Sequence, residues 1–221
     1  MKKKLLAHHT LVTFGVAACL TVPLFAQRNV INANDSNTPL HLLKPDYPVP
    51  YGIVKADEVK GVLDRIHGYL NNVTPPAFVN SKTGEVLTDL SKIDENTALQ
   101  KGDYRLVSYE WGVTYGGMLL ASQITGDNRY KEYTDKRLEF IANAAPYFKK
   151  TSEENADWGT KGPLRGLITP HALDDCGAMC AAMIKATRGG SQLSLRPLIN
   201  NHIDYILNKE HRLKDGTLAR N

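Results

Sequence analysis

The sequence has little of three features that would indicate particular classes of protein. Its 221 residues include only 3 cysteines, which excludes a small disulfide-stapled scaffold. No apolar run reaches the length that a membrane-spanning helix requires. Lysine and arginine number 27 against 23 acidic residues. Beyond the first residues the basic side chains form no cluster, so nucleic acid is not an expected partner.

The first 26 residues have the pattern of a signal peptide. Three lysines follow the initiating methionine, an apolar stretch covers residues 11–25, and Ala26 stands at the expected cleavage point. We expect export to a bacterial periplasm or the extracellular space, with a mature chain that begins at Gln27. Cleavage removes three lysines and no acidic residue, so the formal net charge falls from +4 to +1. No membrane span is expected in the mature chain.

The cysteines fall into two groups, one in the leader and two later in the chain. Residues 16–19 resemble a lipobox, an alternative in which Cys19 becomes a lipid-modified N-terminus. The apolar sequence continues beyond it, which favours the signal peptide. Cys176 and Cys180 are four residues apart on one predicted helix, where a disulfide would distort the helix, so we expect two buried free thiols. Together with His171 they lack a fourth ligand, and neither a metal nor another cofactor is expected.

A predicted helix that begins near Thr169 carries the main candidates for chemistry. Thr169 is expected to cap it, Pro170 to take its first position, and the helix to run to about Thr187. Apolar and small residues cover nearly its whole surface, as in an inner helix packed on several sides. Asp174 and Asp175 are then expected at the mouth of a core, where an unpaired carboxylate is unfavourable. Stabilisation by the helix dipole is the structural alternative for both.

Hydrophobic periodicity predicts four more helices, separated by turns and loops. An extended leader rich in asparagine and proline is expected over residues 27–50, ahead of all of them. A small hairpin is expected at residues 78–87, with its turn at residues 82–84. The four predicted helices cover residues 56–71, 106–124, 127–148 and 195–207.

The predicted helix over residues 106–124 contains three glycines, each of which costs about 1 kcal/mol relative to alanine. Close approach of a neighbouring helix or of a ligand is the usual compensation. This helix and the one that carries Asp174 are each followed by a glycine-containing turn and an amphipathic helix. The pair of an inner and an outer helix therefore occurs twice, which predicts an all-α fold of the α/α toroid type.

Two segments together resemble the unsaturated glucuronyl and rhamnogalacturonyl hydrolases. The first is YEWGVTYGGML at residues 109–119, followed by TGDNRY at residues 125–130. The second is HALDDCGAM at residues 171–179. The Thr-Gly-Asp turn is common to many helical-hairpin enzymes, whereas Leu-Asp-Asp at the start of an inner helix is more specific. The resemblance covers about residues 50–221.

This resemblance implies a barrel of six helical hairpins and a substrate that ends in a 4,5-unsaturated uronate, left by a polysaccharide lyase. Such enzymes protonate C4 and add water at C5, after which the hemiketal opens and releases the next sugar. Asp174 matches the family's first active-site aspartate, which assists the water and holds the ring. The implied substrate contacts are Tyr109, Trp111, Asp175 and His171. Core packing is the alternative for the two aromatic residues, and capping or a bond to a neighbouring loop is the alternative for Asp175.

The resemblance also implies a principal acid/base in a Trp-Leu-Asp segment, and the 221 residues contain no such segment. Five predicted helices are fewer than half of those in the implied barrel. We therefore expect residues 51–221 to be the N-terminal part of a longer hydrolase domain, with little activity alone.

Two other functional classes stay open from the sequence. One is a non-catalytic periplasmic helical protein that binds carbohydrate or acts as a scaffold. The other is a different α/α-toroid enzyme, such as a lyase or an epimerase.

Overall fold

A computed structural model describes residues 37–39, 42, 55–159 and 161–219. The chain divides into two compact units, residues 1–52 and 53–221. The predicted signal peptide lies outside the described residues, as does most of the predicted leader. Within the described residues no helix combines the length and the hydrophobicity needed to cross a membrane.

The second unit consists of helices and one small sheet. Its helices are α1 (Ala56–Val73), α2 (Tyr109–Thr125), α3 (Asn128–Glu154), α4 (Ala156–Gly159), α5 (Arg165–Ile168), α6 (Leu173–Arg188) and α7 (Arg196–Asn208). Its strands are β1 (Phe78–Asn80), β2 (Val86–Leu87) and β3 (Thr97–Leu99). The sheet is antiparallel in the order β2-β1-β3, with Phe78 opposite both Leu87 and Leu99. Helices predominate, so the predicted all-α class is confirmed.

The core lies where α2 packs against α6 and α3. Each large apolar side chain that is removed from water here contributes about 1.5 to 3 kcal/mol. Side chains of α3 and α6 make up much of this core. Strand β1 contributes Phe78, which stacks on Phe140 with ring centroids 4.4 Å apart. The largest fully buried apolar side chains are Tyr115, Tyr130, Phe78, Phe148, Leu138, Ile141, Leu164, Leu167, Met179, Met183 and Leu195.

The helix that carries the aspartates begins later than predicted. Thr169 instead ends α5, and its N–H donates to the carbonyl oxygen of Arg165 at 2.7 Å. Thr169 is the residue at which α5 ends, so it does not cap a helix that has Pro170 at its first position. The chain turns helical only after Ala172, whose side chain has no capping atom. The predicted first position, Pro170, is therefore wrong by three residues, since α6 begins at Leu173.

The last helix, α7, buries only some of its apolar side chains. Leu198 and Ile199 are buried, and so is the polar residue His202. Ile203 and Leu207 are 37% and 61% exposed, because no described element packs over them. The remaining helices match their predictions within a few residues, except that α3 continues six residues beyond the predicted end at residue 148.

Candidate active site

The N-terminal ends of α2 and α6 lie side by side because the helices approach closely at one glycine. A Cβ atom on Gly112 would lie 2.4 Å from the carbonyl carbon of Ala178, closer than any side chain allows. The close approach expected for the glycine-rich helix is confirmed at this position. It does not account for Gly116 or Gly117, where an added Cβ would meet no described neighbouring element within 4 Å.

Asp175 joins these two helix ends directly. Its Oδ1 accepts a hydrogen bond of 2.8 Å from the backbone N–H of Tyr109. Tyr109 is the first residue of α2, where backbone N–H groups have no partner within the helix. The carboxylate of Asp175 therefore caps a neighbouring helix, which is the structural role that the sequence analysis gave as an alternative.

Asp174 is exposed at the first turn of α6. Its Oδ1 accepts a hydrogen bond of 3.1 Å from the N–H of Asp175. The exposure follows from the later helix start, which places Asp174 at the second position of α6.

Glu110 brings a second carboxylate close to Asp174. The pKa of the Glu110 carboxyl lies below its usual value because the Ser108 side chain donates a hydrogen bond to it; the charge of Arg105 acts in the same direction and that of Asp174 opposes it. Glu110 is absent from the predicted site residues. The signal was present in the sequence, because Glu110 stands between the two aromatic residues of the Tyr-Glu-Trp motif.

Asp174 lines a cavity of about 620 Å³, which we call the Asp174 cavity. The segment that follows α7 forms its other wall. Lys209 lies there and pairs with Asp204 at 2.8 Å, and the Oε1 atom of Glu210 accepts from the N–H of His211 at 3.2 Å. The residues that line this cavity are His171, Ala172, Leu173, Asp174, Tyr205, Lys209, Glu210, His211, Leu218 and Ala219.

A second cavity, of about 290 Å³, lies on the other side of His171 and is called here the arginine cavity. Arg105 and Arg165 line it, together with Asp175. His171 lines both cavities. The structure therefore brings His171, Asp174 and Asp175 together around two adjoining cavities.

The two predicted aromatic contacts lie in different surroundings. Tyr109 is 46% exposed at the start of α2. Trp111 is 6% exposed and packs on Tyr104, with ring centroids 5.3 Å apart. It lines neither cavity, so its position agrees with the packing alternative.

Cys176 and Cys180 are free and buried, which confirms the prediction of two buried thiols. Burial raises the pKa of the Cys176 thiol to about 12. Among the described residues no three histidine, cysteine or acidic side chains come together as metal ligands would.

The fold is mainly helical, and the carboxylates of Glu110 and Asp174 stand at two paired helix ends beside two cavities. A sequence model of Glycosyl Hydrolase Family 88 matches residues 80–221. The match covers more than half of the chain, so the protein belongs to this family, that of the unsaturated glucuronyl and rhamnogalacturonyl hydrolases. The family fold is an α/α barrel, and the predicted toroid class is confirmed. No curated protein matches the chain.

Proposed function

We propose that the protein acts on oligosaccharides that end in a 4,5-unsaturated uronate, with Asp174 beside the reacting ring. The observation that carries this proposal is the placement of Asp174, exposed in a cavity of about 620 Å³ at the start of α6. A cavity of that volume accommodates a small ligand such as a terminal sugar ring and part of its neighbour. Family membership supports an oligosaccharide as the substrate class.

The proposed chemistry is hydration of the vinyl ether of the unsaturated ring. The π electrons of the C4=C5 bond take a proton at C4, and the oxygen of water bonds to C5. The carboxylate of Asp174 accepts the proton that this water loses, and its negative charge stabilises the cation that develops near C5. The hemiketal at C5 then opens and releases the next sugar.

The proton delivered to C4 needs a second group, a carboxylic acid. The resemblance implies it in a Trp-Leu-Asp segment, which the 221 residues do not contain. We therefore propose that the 221-residue chain binds the substrate with little or no turnover.

His171 is the best supported of the proposed substrate contacts, since it lines the Asp174 cavity. Tyr109 offers an exposed ring near the same helix ends, whereas Asp175 is already bonded to the Tyr109 N–H. Trp111 supports the site from the core.

The test compares an unsaturated uronyl disaccharide with its saturated analogue. Calorimetry gives the affinity of each, and the ultraviolet absorbance of the double bond follows turnover. We expect the unsaturated sugar to bind more tightly, with little or no loss of absorbance. Equal affinity for both sugars would contradict the proposal and favour a carbohydrate-binding protein. New absorbance formed from saturated uronides would favour a lyase.

We also propose that the protein is exported and begins at Gln27 after cleavage. The charge and apolar pattern of residues 1–26 support this. Mass spectrometry of the secreted protein tests it, and an intact N-terminal methionine or a lipid on Cys19 would contradict it.

A further inference from the structure

We propose that Asn201 of α7 is a positioning residue for His171. Its side-chain amide holds the last carbonyl groups of α5 and thereby fixes residues 169–172, called here the linker, which place the His171 ring between the two cavities. The inference rests on the proposed function only in that His171 contacts the substrate.

The C-terminal end of α5 needs a hydrogen-bond donor from elsewhere in the chain. This helix has only four residues, and Pro170 follows it closely, where a helix cannot continue. The last carbonyl groups of a helix have no donor within it. The Nδ2 atom of Asn201 donates to the carbonyl oxygens of Leu167 at 2.8 Å and of Ile168 at 3.1 Å. One amide group therefore satisfies two of these carbonyl groups.

Helix α7 is a rigid support for this amide group. Leu198 and Ile199 come just before Asn201 and are buried, and His202 comes just after it and has no exposed surface. These neighbours hold α7 against the core, where close packing allows little movement. The position of the donor is therefore set by packing that does not involve the linker.

The linker can transmit this position because its backbone has little freedom. Thr169 ends α5 with non-helical backbone angles, and the ring of Pro170 restricts φ to about −65°. At the other end the carbonyl oxygen of Ala172 accepts a hydrogen bond of 3.0 Å from the N–H of Cys176 in α6. His171 lies between these two ends with its side chain exposed, so the backbone sets where its ring lies.

The position of His171 matters because its ring lines both cavities. Without the Asn201 donor, the two carbonyl groups turn to water and the end of α5 gains other conformations. A site whose binding-competent conformation is only partly populated binds its ligand more weakly in proportion. Core packing is the alternative account, since Leu164 and Leu167 are fully buried and could hold α5 without the amide.

The test substitutes two adjacent asparagines of α7. Asn201→Ala removes the donor, whereas Asn201→Gln keeps an amide donor on a longer side chain. Asn200→Ala is the matched control, because Asn200 is exposed on the same helix. Both alanine variants should fold, because alanine favours a helix and because Asn201 lines an open cavity of about 340 Å³ that water can enter.

The first readout is nuclear magnetic resonance of the protein without sugar. In Asn201→Ala we expect the ring signals of His171 to shift and the amide hydrogen of Thr169, which bonds the end of α5, to exchange faster. Asn201→Gln should change these signals less, and Asn200→Ala should leave them as they are. Unchanged linker signals in Asn201→Ala, or equal changes in both alanine variants, would overturn the proposal whatever the melting temperatures.

The second readout is the affinity for an unsaturated uronyl disaccharide, measured by calorimetry. Asn201→Ala should weaken binding about 2- to 10-fold, as for one lost hydrogen bond, while Asn201→Gln restores part of it and Asn200→Ala has no effect. Unchanged affinity beside shifted His171 signals would also overturn the positioning role. Failure of the proposed function is a different result, in which the wild-type protein binds unsaturated and saturated disaccharides equally and the linker signals still respond to Asn201.

Discussion

The two adjacent aspartates at the start of α6 differ in exposure and in hydrogen bonding. Asp174 is exposed in the larger cavity, whereas Asp175 is half-buried and bonds the first N–H of α2 at 2.8 Å. Sequence places both in the first turn of one helix but gives no distance to a neighbouring helix. Their surroundings therefore separate a candidate for chemistry from a structural cap.

We predict that Asp174→Asn mainly lowers the rate of turnover and that Asp175→Asn mainly lowers the stability. Asparagine at 174 keeps the shape and can hydrogen-bond the sugar, so binding should change little; in any form of the protein with measurable turnover, the rate should fall about 100- to 10,000-fold. Asp175→Asn should lower the stability by about 1 kcal/mol, because the cap on α2 weakens. Kinetics and melting curves check both. Near-normal turnover of a folded Asp174→Asn variant, with none in Asp175→Asn, would reverse the assignment.

Arg137 is a buried cation that links α3 to the end of α1. It is 1% exposed and lies over the ring of Tyr133, with its Cζ atom 3.7 Å from the centroid. It donates to the backbone oxygens of Tyr133 at 3.1 Å and Thr74 at 2.9 Å. No carboxylate pairs with it among the described residues, so hydrogen bonds and the ring stabilise its charge.

We predict that Arg137→Met destabilises the protein by about 2 to 4 kcal/mol, because buried carbonyl groups lose their donors. Arg65→Met, an exposed position on α1, is the matched control and should change the free energy of unfolding little. Unfolding in urea measures both. Equal stability of the two variants would show that Arg137 does not hold α1 in place.

At the scale of elements, sequence predicted those helices whose apolar residues repeat clearly. The glycines of α2 also predicted close approach of a neighbouring helix or of a ligand, and the structure places this approach at Gly112, against Ala178 of α6. The start of α6 was not predictable. Thr169 and Pro170 have the sequence pattern of a helix start, but in the structure Thr169 ends α5. The four-residue helices α4 and α5 are too short for a periodic signal.

The start of α3 depends on charged contacts with α1. Asp127 caps α3 by accepting from the N–H of Arg129 at 3.1 Å, and its other oxygen pairs with the Arg129 guanidinium group at 2.6 Å. Lys60 of α1 reaches the same carboxylate at 3.2 Å. The pKa of Asp127 lies well below its usual range, mainly because the Arg129 side chain donates hydrogen bonds to it.

A lowered pKa in the folded state means that the contribution of Asp127 is present above the unfolded pKa, near 4, and is lost as the pH falls below it. We predict that the melting temperature falls between about pH 6 and pH 3, and falls less for Asp127→Asn. Asparagine keeps the helix cap and removes only the charge. Parallel melting curves for the two proteins over this range would contradict the prediction.

The described residues of the second unit leave apolar surface uncovered. On α2, Val113, Leu120 and Ile124 are 63%, 48% and 75% exposed. Leu120 and Ile124 line a largely apolar cavity of about 540 Å³ against α1. Continuous apolar surface of this kind usually mediates association.

We predict that the purified chain self-associates as its concentration rises. Ile124→Glu should reduce association without lowering the melting temperature, because the side chain is already exposed. Gln123→Glu adds the same charge at a polar exposed position and serves as the control. Sedimentation velocity reports the species present. A monodisperse wild-type monomer that melts cooperatively would show that the exposed surface does not drive association.

Family membership was predictable from two short motifs, whereas the arrangement of the site was not. The motifs identify His171, Asp174 and Tyr109, but the cavities also need Arg165 and Lys209 from segments with no recognisable pattern. Such contacts arise from helix packing, which periodicity alone does not specify.

The most direct measurement locates an unsaturated uronyl disaccharide on the protein. Nuclear Overhauser effects from the proton on C4 of the unsaturated ring report the side chains that lie beside the double bond. Our account predicts effects to Asp174 and His171. Effects confined to another cavity, such as the one that Pro146 and Pro197 line between α3 and α7, would contradict it.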